Sequence, residues 1–181
     1  MNKKLWITAG IFTVIAIVAR IIPHMPNVTP VAALALFAGV YLPKRWSLVL
    51  PIAAMLLSDA IVGFYEWQVM LAVYVGFALT VLAGWLVREK LNPATITAGA
   101  IGGSVVFFLL TNAATWAFTQ MYPHTFAGLM TSYAMGVPFF KFSLVGDLAW
   151  TAVFFVAYQL ILARFPSLSL GIVATPAKTT A

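Results

Sequence analysis

The sequence of 181 residues contains little charge, only two histidines and no cysteine. Asp, Glu, Lys and Arg make up 8% of the chain, whereas a soluble domain carries about 25%. So few charged side chains cannot cover a compact body in water, which excludes a soluble globular protein. The absence of cysteine excludes disulfides, thiolate metal sites and cysteine nucleophiles, and it leaves the redox compartment open.

The sequence also lacks the motifs of several enzyme classes. It contains no Gly-rich phosphate loop, no H-E-x-x-H and no G-x-S-x-G. ATP hydrolysis within this chain is therefore excluded, and no cofactor or metal is expected. Hydrolysis inside a membrane needs a nucleophile and a base, for which a spatial pairing of Ser132 with His124 stays open.

Hydrophobic side chains dominate what is present, at 63% of the residues, and the mean hydropathy is +1.02. The outer surface must therefore face lipid, where a spanning helix needs about 20 apolar residues. Clusters of proline, of glycine with polar residues, and of charged residues interrupt the apolar runs. The runs between them predict an all-α integral membrane bundle of six transmembrane helices within residues 1–163. A polar cytoplasmic tail, 164–181, is expected to be disordered. The predicted helices are 5–22, 29–42, 47–63, 68–87, 95–118 and 139–163.

The positions of the Lys and Arg residues predict the orientation, because these residues accumulate in short cytoplasmic loops. If both termini are cytoplasmic, eight of the ten Lys and Arg residues lie inside. These are Lys3, Lys4, Lys44, Arg45, Arg88, Lys90, Arg164 and Lys178. The net charge of +6 then reflects topology, and no nucleic-acid partner is expected. A secretory signal peptide is the alternative interpretation of the first segment.

The second segment is unusually short for a crossing. With Thr29 as N-cap and Pro30 at the first helical position, its helix would span only about 20 Å. The preceding stretch PHMPNVTP contains three prolines, and irregular backbone at membrane depth is tolerated where it is buried or lines an aqueous cavity. We therefore expect a cavity on the external side; a short tilted helix with an ordinary surface loop is the alternative.

Polar residues within the predicted spans concentrate in the external half. Arg20, Asp59, Lys141 and Asp147 are ionisable groups at a costly depth, which indicates a binding site or structural ion pairs between helices. The aromatic residues nearby can supply the apolar lining of a ligand pocket, or they form an interfacial belt. The candidate substrate-binding residues are Arg20, His24, Asn27, Asp59, Asn112, Trp116, Tyr122, His124, Lys141 and Asp147.

Small residues four positions apart indicate close helix approach. Ala35 and Gly39 show this spacing in the second segment, and Gly99 and Gly103 show it in the fifth. Internal packing and a partner-binding face are both compatible with such pairs.

Four stretches of the chain carry a resemblance to a known family: RIIPHMPNVTPVAALALFAGVYL, LPIAAMLLSDAIVGF, FFLLTNAATW and VPFFKFSLVGDL. Over residues 19–155 the chain resembles a family of small, largely uncharacterised bacterial membrane proteins. These are similar to the substrate-binding S components of energy-coupling factor (ECF) vitamin transporters. The resemblance implies an S-component-like six-helix bundle in the bacterial inner membrane that binds one small molecule in its outer half, under a loop.

S components work with a transmembrane scaffold and two cytoplasmic ATPases, and a small-residue face, often A-x-x-x-A, contacts the scaffold. The resemblance places Ala35 and Gly39 on that face, with Gly39 replacing the second Ala. It also places His24 and Asn27, Asp59, Asn112 and Trp116, and Asp147 in the matching motifs. A cobalamin-specific branch acts without a dedicated scaffold and uses a cysteine near the cobalt, which this chain lacks, although a corrinoid ligand stays open.

The leading hypothesis is a membrane-embedded, non-enzymatic component that binds a small micronutrient for uptake. Its expected partners are a small-molecule substrate such as a vitamin, membrane lipid, and an ECF-type scaffold with ATPases. One alternative is a membrane-embedded enzyme acting on a lipid or isoprenoid, with His124, Asp59 or Asp147 as acid or base. Another is an accessory membrane subunit whose charges merely pair.

Overall fold

The computed structural model describes residues 3–22 and 27–164 of the chain. The described residues form an all-helical bundle of six helices, as predicted. Their bounds are α1 Lys3–Ile21, α2 Val31–Tyr41, α3 Lys44–Val62, α4 Trp67–Glu89, α5 Pro93–Phe118 and α6 Phe126–Arg164. The predicted tail from residue 165 onward lies outside the described residues.

Four of these helices, α3 to α6, are long and apolar enough to cross a membrane. The apolar part of α1, Leu5–Ile21, is slightly shorter. Many large hydrophobic side chains on the outside of the bundle are exposed, among them Ile61, Leu86 and Val145. Because a soluble protein rarely exposes large contiguous apolar patches, these observations identify the chain as a membrane protein.

Helix α2 occupies the centre of the bundle. It has 11 residues, of which 10 are buried, and it contacts each of the other five helices. At 1.5 Å per residue it is only about 16 Å long. The helix begins at Val31, after a proline cap that lacks a side-chain hydrogen bond, so the predicted capping by Thr29 is wrong.

Two glycines bring α2 and α4 into contact. A Cβ atom on Gly84 would lie 2.6 Å from Leu36 O and 2.8 Å from Gly39 Cα, so only glycine fits. Ala35 is 0% exposed, and Gly39 is buried as well. The small-residue spacing therefore serves internal packing, and the structure leaves neither residue on a surface that a scaffold protein could contact. Gly103 of α5 similarly lies against Thr80 of α4.

The last carbonyl groups of α2 are capped by an arginine from α4. Arg88 Nε donates to Val40 O at 2.6 Å, and Nη2 donates to Gly39 O at 2.6 Å and also to Leu42 O. The last four carbonyl groups of a helix have no partner within the helix. Arg88, which the sequence suggests only as a topology signal, therefore completes the hydrogen bonding of the central helix.

An aromatic cluster holds α1, α2 and α6 together. Phe12 stacks on Phe154 with 4.3 Å between ring centroids. Phe37 meets Phe12 and Tyr158 edge to face at 5.0 and 5.2 Å. Such arrangements follow the quadrupoles of the rings. The cluster forms part of the buried apolar core.

The last helix is much longer than predicted. Residues 126–138, expected in an outer loop, belong to α6, which has 39 residues and contains Pro138. Proline removes one hydrogen bond within a helix and usually bends or breaks it, which made a helix start after Pro138 the obvious expectation. The true connection is 119–125. Gly128 permits it, because a Cβ there would collide with Pro123 O.

Candidate functional site

A cavity of about 420 Å³ lies at the end of the bundle where α1 and α3 end and α4 begins. We call it the polar cavity. The segment before α2 contributes Asn27 and Thr29, in agreement with the expectation that this stretch lines a cavity. The lining is formed by Arg20, Asn27, Thr29, Ala32, Met55, Val62, Tyr65, Val73, Phe77, Phe107, Thr111, Ser143 and Asp147.

One wall of the polar cavity contains a buried ion pair. Arg20 Nη2 lies 2.6 Å from Asp59 Oδ1, and the Asp59 side chain is 0% exposed. The other nitrogen, Nη1, donates to Ser58 Oγ at 2.7 Å and contacts Met55 Sδ at 3.1 Å. Tyr74 donates to Asp59 Oδ2 at 2.7 Å. The carboxylate thus has a charged partner on one oxygen and a hydroxyl donor on the other, as a buried charge requires.

The S-D-x-x-x-G motif builds this wall. Ser58 and Asp59 lie in the last turns of α3, and Gly63 ends the helix at φ 114°, with its N–H donating to Asp59 O at 2.8 Å. A side chain is strained at such a φ. The chain then turns through Tyr65 at the cavity mouth. Burial, together with the negative charge of Asp59, raises the pKa of Tyr65 to about 12, so its phenol stays neutral.

The opposite wall contains a second carboxylate with a different environment. Asp147 on α6 is 8% exposed and accepts a hydrogen bond of 2.6 Å at Oδ2 from Ser104 of α5. Within the described residues it forms no ion pair, since the Arg20–Asp59 contact is the only one there. Its other oxygen, Oδ1, receives no hydrogen bond from the described part of the chain. Asp147 is therefore a buried acid to which residues 3–22 and 27–164 supply no cationic partner.

A smaller cavity of about 180 Å³ adjoins the first and is here called the side cavity. It lies between α5 and α6 and includes Asn112, Phe108 and Gly136. The two cavities share one set of lining residues: Asn27, Phe107, Thr111, Ser143 and Asp147. Asp147 consequently stands where they meet.

Two backbone features bring the segment before α2 against Asp147. A Cβ atom on Gly146 would lie 3.0 Å from Val28 Cγ1 and 3.1 Å from Val28 Cα, so the glycine allows this approach. Asn27 adopts φ 62°, a left-handed conformation that asparagine tolerates better than most residues. The G-D motif of α6 thereby positions both the acid and its neighbour Asn27.

The structure brings together Arg20, Asn27, Asp59, Asn112 and Asp147 from the predicted site. Arg20, Asn27 and Asp147 line the polar cavity, and Asn112 lines the side cavity. Asp59 forms the ion pair with Arg20. Asn112 donates from Nδ2 to Phe108 O at 2.8 Å. These residues come from five different segments, which is why their proximity depends on the whole bundle.

Other predicted residues lie elsewhere. Trp116 donates to Pro123 O at 3.0 Å and stands edge to face with His124 at 6.1 Å. His124 is exposed, and Tyr122 in the same loop is half-buried; none of the three lines the two cavities. The contacts of Trp116 with Pro123 and His124 hold the 119–125 loop onto α5.

Lys141 is exposed on α6 and lines neither cavity. Asp147 comes six positions after Lys141, which puts the two on different sides of a helix with 3.6 residues per turn. The pairing of two basic with two acidic groups that the sequence allowed is thus realised only for Arg20 and Asp59. His24 lies outside the described residues.

Several alcohols at the site escaped sequence reasoning. Ser58 accepts from Arg20, Ser104 donates to Asp147, and Tyr74 donates to Asp59. Thr111 and Ser143 line the polar cavity together with Asp147. Hydroxyl residues are common in membrane helices, where they bond to the carbonyl four residues earlier. The only usable signal was Ser58, directly before the buried Asp59.

A larger groove of about 600 Å³ runs between the start of α5 and the second half of α6. We call it the apolar groove. Its lining includes Ile96, Phe155 and Leu160, with Thr97 and Thr151 as minor polar members. None of the described residues that line it is charged, so the converging polar groups distinguish the polar cavity as the better ligand site.

The fold and the site define a class: a helical membrane protein with an internal cavity whose lining contains an ion pair and a second acid that has no ion-pair partner among the described residues. No group of three or more His, Cys, Asp or Glu side chains that could hold a metal occurs among residues 3–22 and 27–164. The family of unknown function DUF6580 matches residues 1–168, and the chain belongs to this family. No curated protein and no solved structure matches it.

Proposed function

We propose that this protein is the membrane-embedded substrate-binding component of an uptake system for a small micronutrient, a vitamin or a related compound. The observation that carries the proposal is the polar cavity, in which Arg20 and Asp147 approach one space from opposite walls. Its volume of about 420 Å³ lies in the range of about 300–1,000 Å³ that is typical of small-molecule sites.

The composition of the lining supports binding of an organic molecule. Phe77, Phe107 and Met55 provide apolar surface, and Asn27 and Thr29 provide neutral polar groups. Ligand sites usually combine a mainly apolar lining with a few polar groups that fix orientation. The Arg20–Asp59 pair, held by Tyr74 and Ser58, gives this wall a rigid geometry.

The distribution of Lys and Arg supports an outward-facing site in the bacterial inner membrane. If the basic residues of the 90–92 connection and of the N-terminus face the cytoplasm, the end of the bundle that carries the polar cavity faces outward. A binding component open to the outside meets its ligand before transport.

Uptake against a gradient needs an energy source that this chain does not contain, since it has no ATPase motif. We therefore propose a partner, an ECF-type transmembrane scaffold with cytoplasmic ATPases, or a solitary mechanism. Ala35 and Gly39 are not part of this proposed contact, because both are buried inside the bundle.

The test is ligand retention by the purified full-length chain. Protein incubated with medium extract is washed, denatured and analysed by mass spectrometry for released small molecules. Ala32→Leu and Val73→Phe enlarge side chains that line the polar cavity and are expected to abolish retention. Thr97→Val in the apolar groove is the matched control and should retain the compound. Retention by both cavity variants, or no retained compound in the natural chain, would contradict the proposal.

A further inference from the structure

We infer that the ligand of the polar cavity carries a cationic hydrogen-bond donor, such as a protonated amine or an amidinium, and that Asp147 binds it. The inference rests on the proposed binding function and adds to it the charge class of the ligand. It comes from the hydrogen-bonding state of the groups around Asp147.

Asp147 is the first of these groups. Its residue is 8% exposed, its Oδ2 accepts from Ser104, and it has no ion-pair partner in the described residues. A buried carboxylate is unfavourable unless a cation or several donors compensate it. Because Asp147 lines both cavities, a ligand in either one can supply that compensation.

The neighbouring hydroxyl groups have already used their protons. Thr111 Oγ1 donates to Phe107 O at 2.9 Å, and Ser143 Oγ donates to Phe139 O at 3.2 Å. A hydroxyl has one proton and two lone pairs. What Thr111 and Ser143 can still offer a ligand is therefore acceptor capacity.

Asn112 adds a fourth acceptor, in the side cavity. Its Nδ2 donates to Phe108 O, while Oδ1 accepts no hydrogen bond within the described residues. The carboxylate, the two hydroxyls and this amide oxygen can all accept hydrogen bonds from a ligand. An anionic or acceptor-only group at this position would give the carboxylate no compensating donor.

The single cation of the lining does not favour an anion either. Arg20 already pairs with Asp59 and donates to Ser58. Its positive charge is therefore neutralised by a fully buried partner. Among the described lining residues, the charge that no ion pair compensates is that of Asp147.

The size and lining of the space favour an organic cation over a metal ion. The two adjoining cavities measure about 420 and 180 Å³, far more than a single dehydrated ion needs. Phe107 lines both cavities, and aromatic faces attract organic cations.

The experiment compares three matched probes that share an aromatic frame and differ in charge: tryptamine, indole-3-ethanol and indole-3-acetate. A second set uses phenethylamine, 2-phenylethanol and phenylacetate. Binding to the purified full-length chain is measured by isothermal titration, in sodium buffer and in potassium buffer, neither of which contains an amine. We expect the amine of at least one set to bind about tenfold or more tightly than its neutral analogue, because a charge-assisted hydrogen bond is stronger than a neutral one.

The variant Asp147→Asn keeps the shape and removes the charge, and it is expected to abolish the preference for the amine while binding of the neutral alcohol persists. If Asp147→Asn folds poorly, Ser143→Ala is the second variant. It is expected to reduce the preference for the amine over the alcohol by a smaller amount. Thr97→Val is the control and should keep the preference. An equal or better affinity for the anion, an amine preference that survives Asp147→Asn, or an Asp147-dependent response to sodium alone would overturn the inference. Binding of no probe in either set would instead count against the binding function itself.

Discussion

Tyr74 donates its phenolic proton to Asp59 across the contact of α4 with α3, at 2.7 Å. On the other side of the same carboxylate stands Arg20 at 2.6 Å. One fully buried acid thus ties three helices together. The Tyr74 hydroxyl is consequently a structural donor, and the cavity wall keeps its geometry only while all three groups are present.

Tyr74→Phe is expected to destabilise the protein by about 1.5–3 kcal/mol, since a hydrogen bond to a charged group is lost. The equilibrium of unfolding in SDS titrations measures this change. Tyr133→Phe is a suitable control, because the Tyr133 hydroxyl donates to Leu109 O, which is a neutral acceptor in a more exposed place. Equal losses in the two variants would contradict the special role of the Asp59 contact.

The ion pair itself can be tested by a double-mutant cycle. Arg20→Met and Asp59→Asn each leave one partner of a buried pair uncompensated, which typically costs about 3–5 kcal/mol. The double variant is expected to lose less than the sum by roughly 1–3 kcal/mol. SDS unfolding again gives the free energies. Additive losses would show that Arg20 and Asp59 do not stabilise each other.

Arg88→Met should destabilise the bundle by roughly 3 kcal/mol or more, because carbonyl groups at the end of the buried α2 would lose their donors. Lys90→Met, two residues further on and exposed, is the matched control and should change little. Thermal unfolding in detergent measures the stability of both variants and shows whether they differ. A stable Arg88→Met protein would mean that water or a lipid headgroup can replace the guanidinium.

The contact of α2 with α4 predicts opposite outcomes for two glycines. Gly84→Ala forces a methyl group against Leu36 O and Gly39 Cα and should cost about 1–3 kcal/mol. Gly102→Ala meets no atom within 4 Å and should stabilise α5 by roughly 0.5–1 kcal/mol, since alanine is the better helix former. Unfolding midpoints of the two variants test this, and a tolerated Gly84→Ala would argue against the close contact.

The orientation is testable because the natural chain contains no cysteine. Ala94→Cys and Gln120→Cys place single exposed thiols at opposite ends of α5. In intact cells a membrane-impermeant maleimide should label Cys at 120, and it should label Cys at 94 only after permeabilisation. The reverse pattern would turn the polar cavity toward the cytoplasm and remove the argument for uptake from outside.

The number and order of the helices followed from hydrophobic runs, and five of the six segments agree with the structure within a few residues at each end. The start of α6 was predicted wrongly. Proline usually breaks a helix, but Pro138 is tolerated inside the long α6. Local sequence cannot show whether neighbouring helices compensate for a missing hydrogen bond.

At the site, sequence analysis found the two acids and Arg20 but not their relations. Asp59 pairs with Arg20, 39 positions earlier in the chain. Asp147 accepts a hydrogen bond from Ser104, 43 positions earlier, and local sequence shows neither contact. The charge of Lys141 and its predicted depth in the membrane suited a pairing with Asp147. The helical period, however, places the two residues on different sides of α6.

The capping of α2 by Arg88 has a consequence for biosynthesis. The guanidinium comes from a residue 46 positions after Leu42, whose carbonyl it binds, and α2 alone is too short to cross a bilayer. When α2 leaves the ribosome, the group that satisfies its end has not yet been made. The central helix of the finished bundle therefore reaches its final state only after α3 and α4 have been synthesised. Assembly of the core must wait for the chain that later surrounds it.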